Sequence, residues 1–175
     1  MRRHRALLLL AALSATCLLA KTVIDYDHAV DFAKFHTWSW VSVDVQEPLW
    51  KDRVSHAIEG QLAAKGWHKV ASGGDASVLA VGSTHTEQTL ETWYGMGFGG
   101  GWLHRGWWGE AVPVETTVIR TPVGTLHVDI FDSRTKKVIW HVSASEALKG
   151  NPEKDEKQLN KEVADMFKKF PPTGK

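Results

Sequence analysis

Two alternating runs joined by a short polar turn restrict the fold more than any other feature of this sequence. Residues 125–131 and 138–143 both place apolar side chains at every second position. Such alternation is typical of strands with one buried face. Asp132, Ser133 and Arg134 supply the turn between them. The runs therefore predict an antiparallel hairpin, in which facing residue numbers sum to about 268–270 and His141 faces His127 or Asp129.

The remaining chain divides into further strands and two helices. Extended segments are predicted at 22–27, 36–40, 67–70, 76–88 and 115–132, the last of them broken near residues 122–124. Apolar residues recur every four positions in a helix over 48–65 and in a second helix that starts at Asn151 and stops at Pro171. We predict an α+β two-layer sandwich, in which an antiparallel or mixed sheet of five or six strands carries both helices on one face.

Length and charge set the broad class. A chain of 175 residues is expected to hold one domain, here residues 21–175. The formal net charge of +1 offers no clustered basic surface, and we therefore exclude a nucleic-acid partner.

The first twenty residues resemble an export signal. Three arginines precede an apolar run from Ala6 to Leu13, which matches the charged and hydrophobic regions of a bacterial secretory signal. The run is too short for a retained transmembrane helix, the less favoured interpretation. Export to the periplasm or to a lipid anchor in the cell envelope is the expectation.

Cys17 is the single cysteine and lies inside this segment, which excludes an internal disulfide or a catalytic thiol from the remaining chain. Two interpretations stay open. Cys17 is the acylated first residue of a lipoprotein, or the signal is cleaved after Ala20. The positions that flank each cleavage site depart from the usual pattern, with Thr16 before the first and Leu18 before the second.

Residues 93–109 form a segment with unusual composition, the Gly/Trp-rich segment. It holds seven glycines together with a set of aromatic residues that are candidates for binding: Trp93, Tyr94, Phe98, Trp102, Trp107 and Trp108. Glycine makes an ordered backbone entropically costly, whereas each buried Trp contributes roughly 4–6 kcal/mol, so these rings are expected to find an apolar surface.

Three fates of the Gly/Trp-rich segment are consistent with its sequence. It folds back over the open face of its own sheet, or it binds a partner, or it is disordered. The partner would be an envelope protein, a glycan stacked on the rings, or the headgroup layer of a membrane surface. Phosphate binding is disfavoured because no GxxxxGK[ST] motif occurs.

The predicted hairpin also suggests a metal site. His127, Asp129 and His141 fall within cross-strand reach of one another, and imidazole and carboxylate groups bind Zn²⁺ or Cu²⁺. A fourth ligand would come from His85 or His104. The competing interpretation is a solvated polar sheet face.

Enzymatic motifs are missing from the sequence. It contains no GxSxG, HExxH or CxxC, and GMGFGG lacks a following helix. Paired acids at Asp25/Asp27 and Asp129/Asp132 leave a hydrolase as a third, weaker hypothesis. No catalytic residue and no cofactor are predicted.

The chain resembles the domain-of-unknown-function family 4136. The resemblance rests on VIDYD, DFAKFHTWSW, LAAKGW, GGDASVLAVG, GTLHVDIFDSRTKKVIW and a terminal FPP, and it covers roughly residues 22–172. It implies a bacterial envelope protein, often a lipoprotein, with a two-layer α/β sandwich, and it brings no catalytic residues. The expectation is a non-catalytic binding or assembly module that uses the Gly/Trp-rich segment. The alternative is a periplasmic metal-binding protein.

Overall fold

A computed structural model describes residues 21–94 and 113–172. The chain forms six strands, two α-helices and a short 3₁₀ turn at Phe32–Lys34. In chain order the elements are β1 (Lys21–Tyr26), β2 (Thr37–Val45), α1 (Pro48–Ala64), β3 (His68–Lys69), β4 (Ala76–Tyr94), β5 (Pro113–Asp132), β6 (Val138–Ala147) and α2 (Pro152–Met166).

The strands form one open mixed sheet in the order β1-β6-β5-β4-β2-β3. β1, β6, β5 and β4 pair antiparallel, whereas β2 runs parallel to β4 and to β3. α1 lies between β2 and β4 in the chain, and a parallel pair needs such a crossover connection. The sheet is therefore mixed, and the predicted break near Pro122 is wrong, because β5 continues through it.

Alternation separates a buried sheet face from an open one. Even-numbered residues of the central strands, such as Val78, Val128 and Val142, are fully buried. They form one cluster with residues of both helices, including Ile58 of α1 and Val163 of α2. Each such aliphatic side chain contributes about 1.5–3 kcal/mol on burial, so this cluster fixes the register of the sheet.

Aromatic rings close the core beside the end of α2. The helix ends at Met166, and Phe167 and Phe170 follow it instead of continuing the helical stripe that the sequence predicts. Both rings lie about 5 Å from Trp140, with centroid distances of 4.9 and 5.0 Å, and Trp67 lies 5.0 Å from Phe170. The terminal FPP segment is thereby packed against the sheet.

Gly74 is required by a close approach of two backbone segments. A Cβ atom added there would lie 2.5 Å from the Cα of Trp38, a distance that backbone atoms cannot accommodate without moving. The next residue, Asp75, accepts hydrogen bonds from the backbone N–H groups of His36 and Thr37 at 3.0 and 2.9 Å. The turn before β4 is thus held against the start of β2.

We expect Gly74→Ala to lower the free energy of unfolding by about 2 kcal/mol or more, because the new methyl group overlaps backbone. Gly60→Ala is the matched control. Gly60 lies in α1 with no atom within 4 Å of an added Cβ, so alanine should stabilise the helix by about 0.5–1 kcal/mol. Urea unfolding of both variants measures the difference, and equal stability would contradict the close approach.

Candidate functional site

The Gly/Trp-rich segment begins at the tip of a long two-stranded ribbon. The pairing of β4 with β2 ends at Gly82, and that of β5 with β6 ends at Val123, but β4 and β5 remain paired with each other as far as Tyr94 and Pro113. We call residues 83–94 and 113–122 the ribbon. At roughly 3.3 Å per residue it extends about 40 Å beyond the end of β2 and about 30 Å beyond the end of β6.

Both faces of the ribbon are open to solvent over residues 83–90 and 117–120. Side chains of residues 83–90 and 117–120 are all exposed, although successive residues point to opposite faces. Leu90 is 69% exposed, and Val118 and Ile119 are 46% and 39% exposed. The described part of the ribbon therefore does not pack on the rest of the protein, and it presents apolar side chains to solvent.

The predicted aromatic residues divide into two groups. Trp93 and Tyr94 lie at the end of β4, where Trp93 pairs with Glu115 and Tyr94 with Pro113. Phe98, Trp102, Trp107 and Trp108 lie outside the described residues, as do Cys17 and His104.

The open face of the sheet holds the predicted histidine pair. Asp129 faces His141 in the register, as predicted, and the Nδ1 of His141 lies 2.5 Å from an Asp129 carboxylate oxygen. The ring centroids of His127 and His141 are 6.0 Å apart. Neighbouring positions also pair by hydrogen bonds, with Thr125 and Ser145 hydroxyls 2.9 Å apart.

This polar cluster does not assemble the predicted ligand set. Across the part of the chain that the structure describes, no three His, Cys, Asp or Glu side chains come together in a way that could hold a metal ion. His85 lies on the ribbon, four positions along β4 from Val81, the partner of His127, which corresponds to about 13 Å. Its Nε2 is 3.5 Å from the exposed Glu87. The described arrangement is that of cross-strand polar pairs.

A groove of about 470 Å³ lies where the ribbon leaves the sheet, and the sequence did not reveal it. Its walls are the start of α1, the first half of α2 and the ends of β2 and β6. Gly82 and Gly124 form part of its floor, where an added Cβ would contact Val45 at 3.0 Å and Leu148 at 3.1 Å. Isolated glycines inside strands were the available signal, because they often mark a close approach.

Two polar side chains of α2 that line this groove each have a buried oxygen atom without a hydrogen-bond partner. Gln158 is 8% exposed, and its amide nitrogen donates to the carbonyl of Ala147 at 2.9 Å, but its Oε1 has no donor. Oε1 of Glu162, one helical turn further, is also buried without a partner. Burial, followed by the charges of Glu146 and Asp165, raises the pKa of Glu162 to about 7.

The start of α2 is fixed beside the groove by its cap. The side chain of Asn151 accepts a hydrogen bond from the Lys154 backbone at 3.0 Å. Asp155 accepts from the backbone N–H groups of Lys149 at 2.7 Å and Asn151 at 3.0 Å. Asp155 is therefore satisfied within the fold, whereas Gln158 and Glu162 are not.

The fold is that of an α+β protein, with a mixed six-stranded sheet, two helices and a projecting strand pair. The model of the domain of unknown function DUF4136 matches residues 22–172, and the chain belongs to this family. No curated protein sequence matches it.

Solved structures share the fold at low identity. A DUF4136 family protein from Bacteroides thetaiotaomicron is similar with a TM-score of 0.54 and 14% identity, over 87% of this chain and 96% of that one. PelC from Paraburkholderia phytofirmans, solved as a dodecamer, gives 0.50 and 10%, over 85% and 95%. A PDZ domain protein from Parabacteroides distasonis gives 0.56 and 16% over 89% of this chain, which spans only 36% of that protein.

None of the helices described for residues 21–94 and 113–172 has the length and apolar character needed to cross a bilayer.

The raised pKa of Glu162 predicts that the stability of the protein depends on pH, and the substitution Glu162→Gln should remove this dependence. Its folded pKa of about 7 lies above the unfolded value of 4.5, so the folded state holds the proton more tightly. The stability from this group is complete below pH 4.5 and is lost as the pH rises through 7. We expect Glu162→Gln to be more stable than the native protein at pH 8.5, by roughly 1–2 kcal/mol after allowance for its partial exposure.

Urea unfolding at pH 4.0 and 8.5 measures this effect, and the advantage of the glutamine variant should be present at the higher pH and small at the lower. Glu153→Gln, on the exposed first turn of the same helix, is the control and should show no comparable change. A variant whose advantage does not vary with pH would contradict the raised pKa of Glu162.

Proposed function

We propose that this DUF4136 protein is an exported bacterial envelope protein that acts as a non-catalytic binding or assembly module, with the ribbon and its Gly/Trp-rich segment as the contact surface. The observation that carries the proposal is the exposure of both ribbon faces over residues 83–90 and 117–120. Exposed apolar side chains on an element that supports no core are typical of a contact surface.

The strand edges of the ribbon add a second reason. Beyond Gly82 on β4 and Val123 on β5, each strand keeps one edge without a neighbouring strand among the described residues. Unpaired backbone groups on such edges are templates for an added strand, and proteins use them for β-augmentation. A partner of this kind gains main-chain hydrogen bonds from the ribbon and apolar contact from Leu90, Val118 and Ile119.

The envelope location is supported by residues 1–20, which have the order of a secretory signal. The mature protein should begin at an acylated Cys17 or at Lys21. Mass spectrometry of the protein isolated from the producing cell distinguishes the two, and a mature chain that retains Met1 would contradict export.

Removal of the ribbon tests whether it serves the fold or a partner. The carbonyl of Pro122 accepts a hydrogen bond from the backbone N–H of Leu148, on the side of β5 that faces away from β4. The pair that Pro122 forms with Thr86 of β4 is therefore of the non-hydrogen-bonded kind. The next pair, Glu87 and Thr121, is then hydrogen bonded and suits closure by a two-residue Asn-Gly turn. We expect a chain in which this turn replaces residues 88–120 to lose less than about 1 kcal/mol of unfolding free energy.

The same chain should lose its envelope contact. A photo-crosslinking residue at position 118 of the otherwise native protein should give a discrete adduct in growing cells, and one at position 49 should not. Leu49 is a matched control because it is 71% exposed and lies on α1. Adducts of equal yield at both positions, or a large loss of stability on ribbon removal, would contradict the proposed contact surface.

A further inference from the structure

We propose that the groove at the base of the ribbon is a binding site for a small organic cation with an apolar body, of the alkylammonium class. This inference does not rest on the proposed function, because the groove lies between the helices and the sheet and shares only Ser83, Thr84 and Pro122 with the ribbon.

The charge of the groove favours a cation. Four acids line it, Glu47, Glu146, Asp155 and Glu162, and no Lys, Arg or His is among its described lining residues. Arg53 of α1 is not part of this lining, and its guanidinium is 3.0 Å from Glu156 and 4.8 Å from the centroid of the Trp50 ring. The negative charge of the groove is therefore not balanced by its own lining.

Two acceptors without donors indicate the side of the groove at which we place the cationic group. Oε1 of Gln158 and Oε1 of Glu162 are both buried, both unpaired and one helical turn apart on α2. Buried acceptors without donors are costly, and an ammonium group supplies up to three N–H donors. Asp155 already accepts two backbone hydrogen bonds, so Glu162 and Glu146 remain as the carboxylates that attract the charge.

The rest of the groove suits an apolar body. Its walls include Trp50 and Val54 of α1, Leu159 of α2, and Leu148 beyond β6. Gly82 and Gly124 let the apolar side chains of Val45 and Leu148 pack directly over the floor of the groove. A volume of about 470 Å³ falls within the range of small-molecule sites, roughly 300–1,000 Å³. An alkyl chain would replace water along these walls.

Calorimetric titration with octylamine, 1-octanol and octanoate tests the proposal. The three probes share an apolar chain and differ in charge, so octylamine should bind at least tenfold more tightly than the other two. Glu162→Gln keeps the shape of the side chain and removes its charge, and it should weaken octylamine binding about tenfold without affecting octanol. Glu153→Gln is the control on the same helix and should bind octylamine like the native protein.

The pH dependence provides a second readout. Burial, Glu146 and Asp165 together raise the pKa of Glu162, so octylamine binding should weaken as the pH falls from 8 to 5.5 and Glu162 takes up a proton. This dependence should be smaller in Glu162→Gln. Amide chemical shifts that move with octylamine should include residues 158 and 162. Binding of all three probes with equal affinity, no octylamine binding, or native affinity in Glu162→Gln would each overturn the proposal.

Discussion

The antiparallel pairing of β4 with β5 is the constraint on which the rest of the structure depends. Over Ala76–Gly82 the pair lies inside the sheet, where β2 and β6 flank it and both helices bury its even-numbered face. The same ladder continues beyond Gly82, where β2 ends, and beyond His85, where β6 also ends, it has no neighbouring strand among the described residues and forms the ribbon. Because side chains alternate strictly along a ladder, one register fixes three features: the core, the polar open face and the orientation of the ribbon. A shift of one residue would place Val128 in solvent and His127 in the core.

The sequence predicted the strands and helices in which burial of one face makes apolar residues recur at a regular spacing. Alternation limited the partner of His141 to His127 or Asp129, of which the structure shows Asp129, and α1 follows from apolar residues four positions apart. Pro122 misled the prediction because proline breaks a central strand, and here its nitrogen faces away from β4, towards Leu148 just past the end of β6, so the pairing of β4 with β5 loses no hydrogen bond. The parallel pairing of β2 with β4 depends on the path of α1 across the sheet, which local patterns do not encode.

The candidate sites were predictable to different degrees. Composition identified the Gly/Trp-rich segment, and the structure adds that residues 83–94 and 113–122 carry it on a strand pair. The groove was not predicted, because its residues come from six elements and are close only in the folded chain. Glu162 also reads as a solvated helix residue in the sequence KDEKQLNKE, and only packing against β6 places Glu146 near enough to affect its pKa.

The ribbon and the groove meet at Ser83, Thr84 and Pro122, which line the groove and begin the ribbon. The proposed ligand would therefore contact the base of the ribbon as well as α2. The β4–β5 register runs without a shift from the core residue Val78 to Trp93. The structure therefore joins an apolar, acidic groove and an exposed contact surface through one pair of strands.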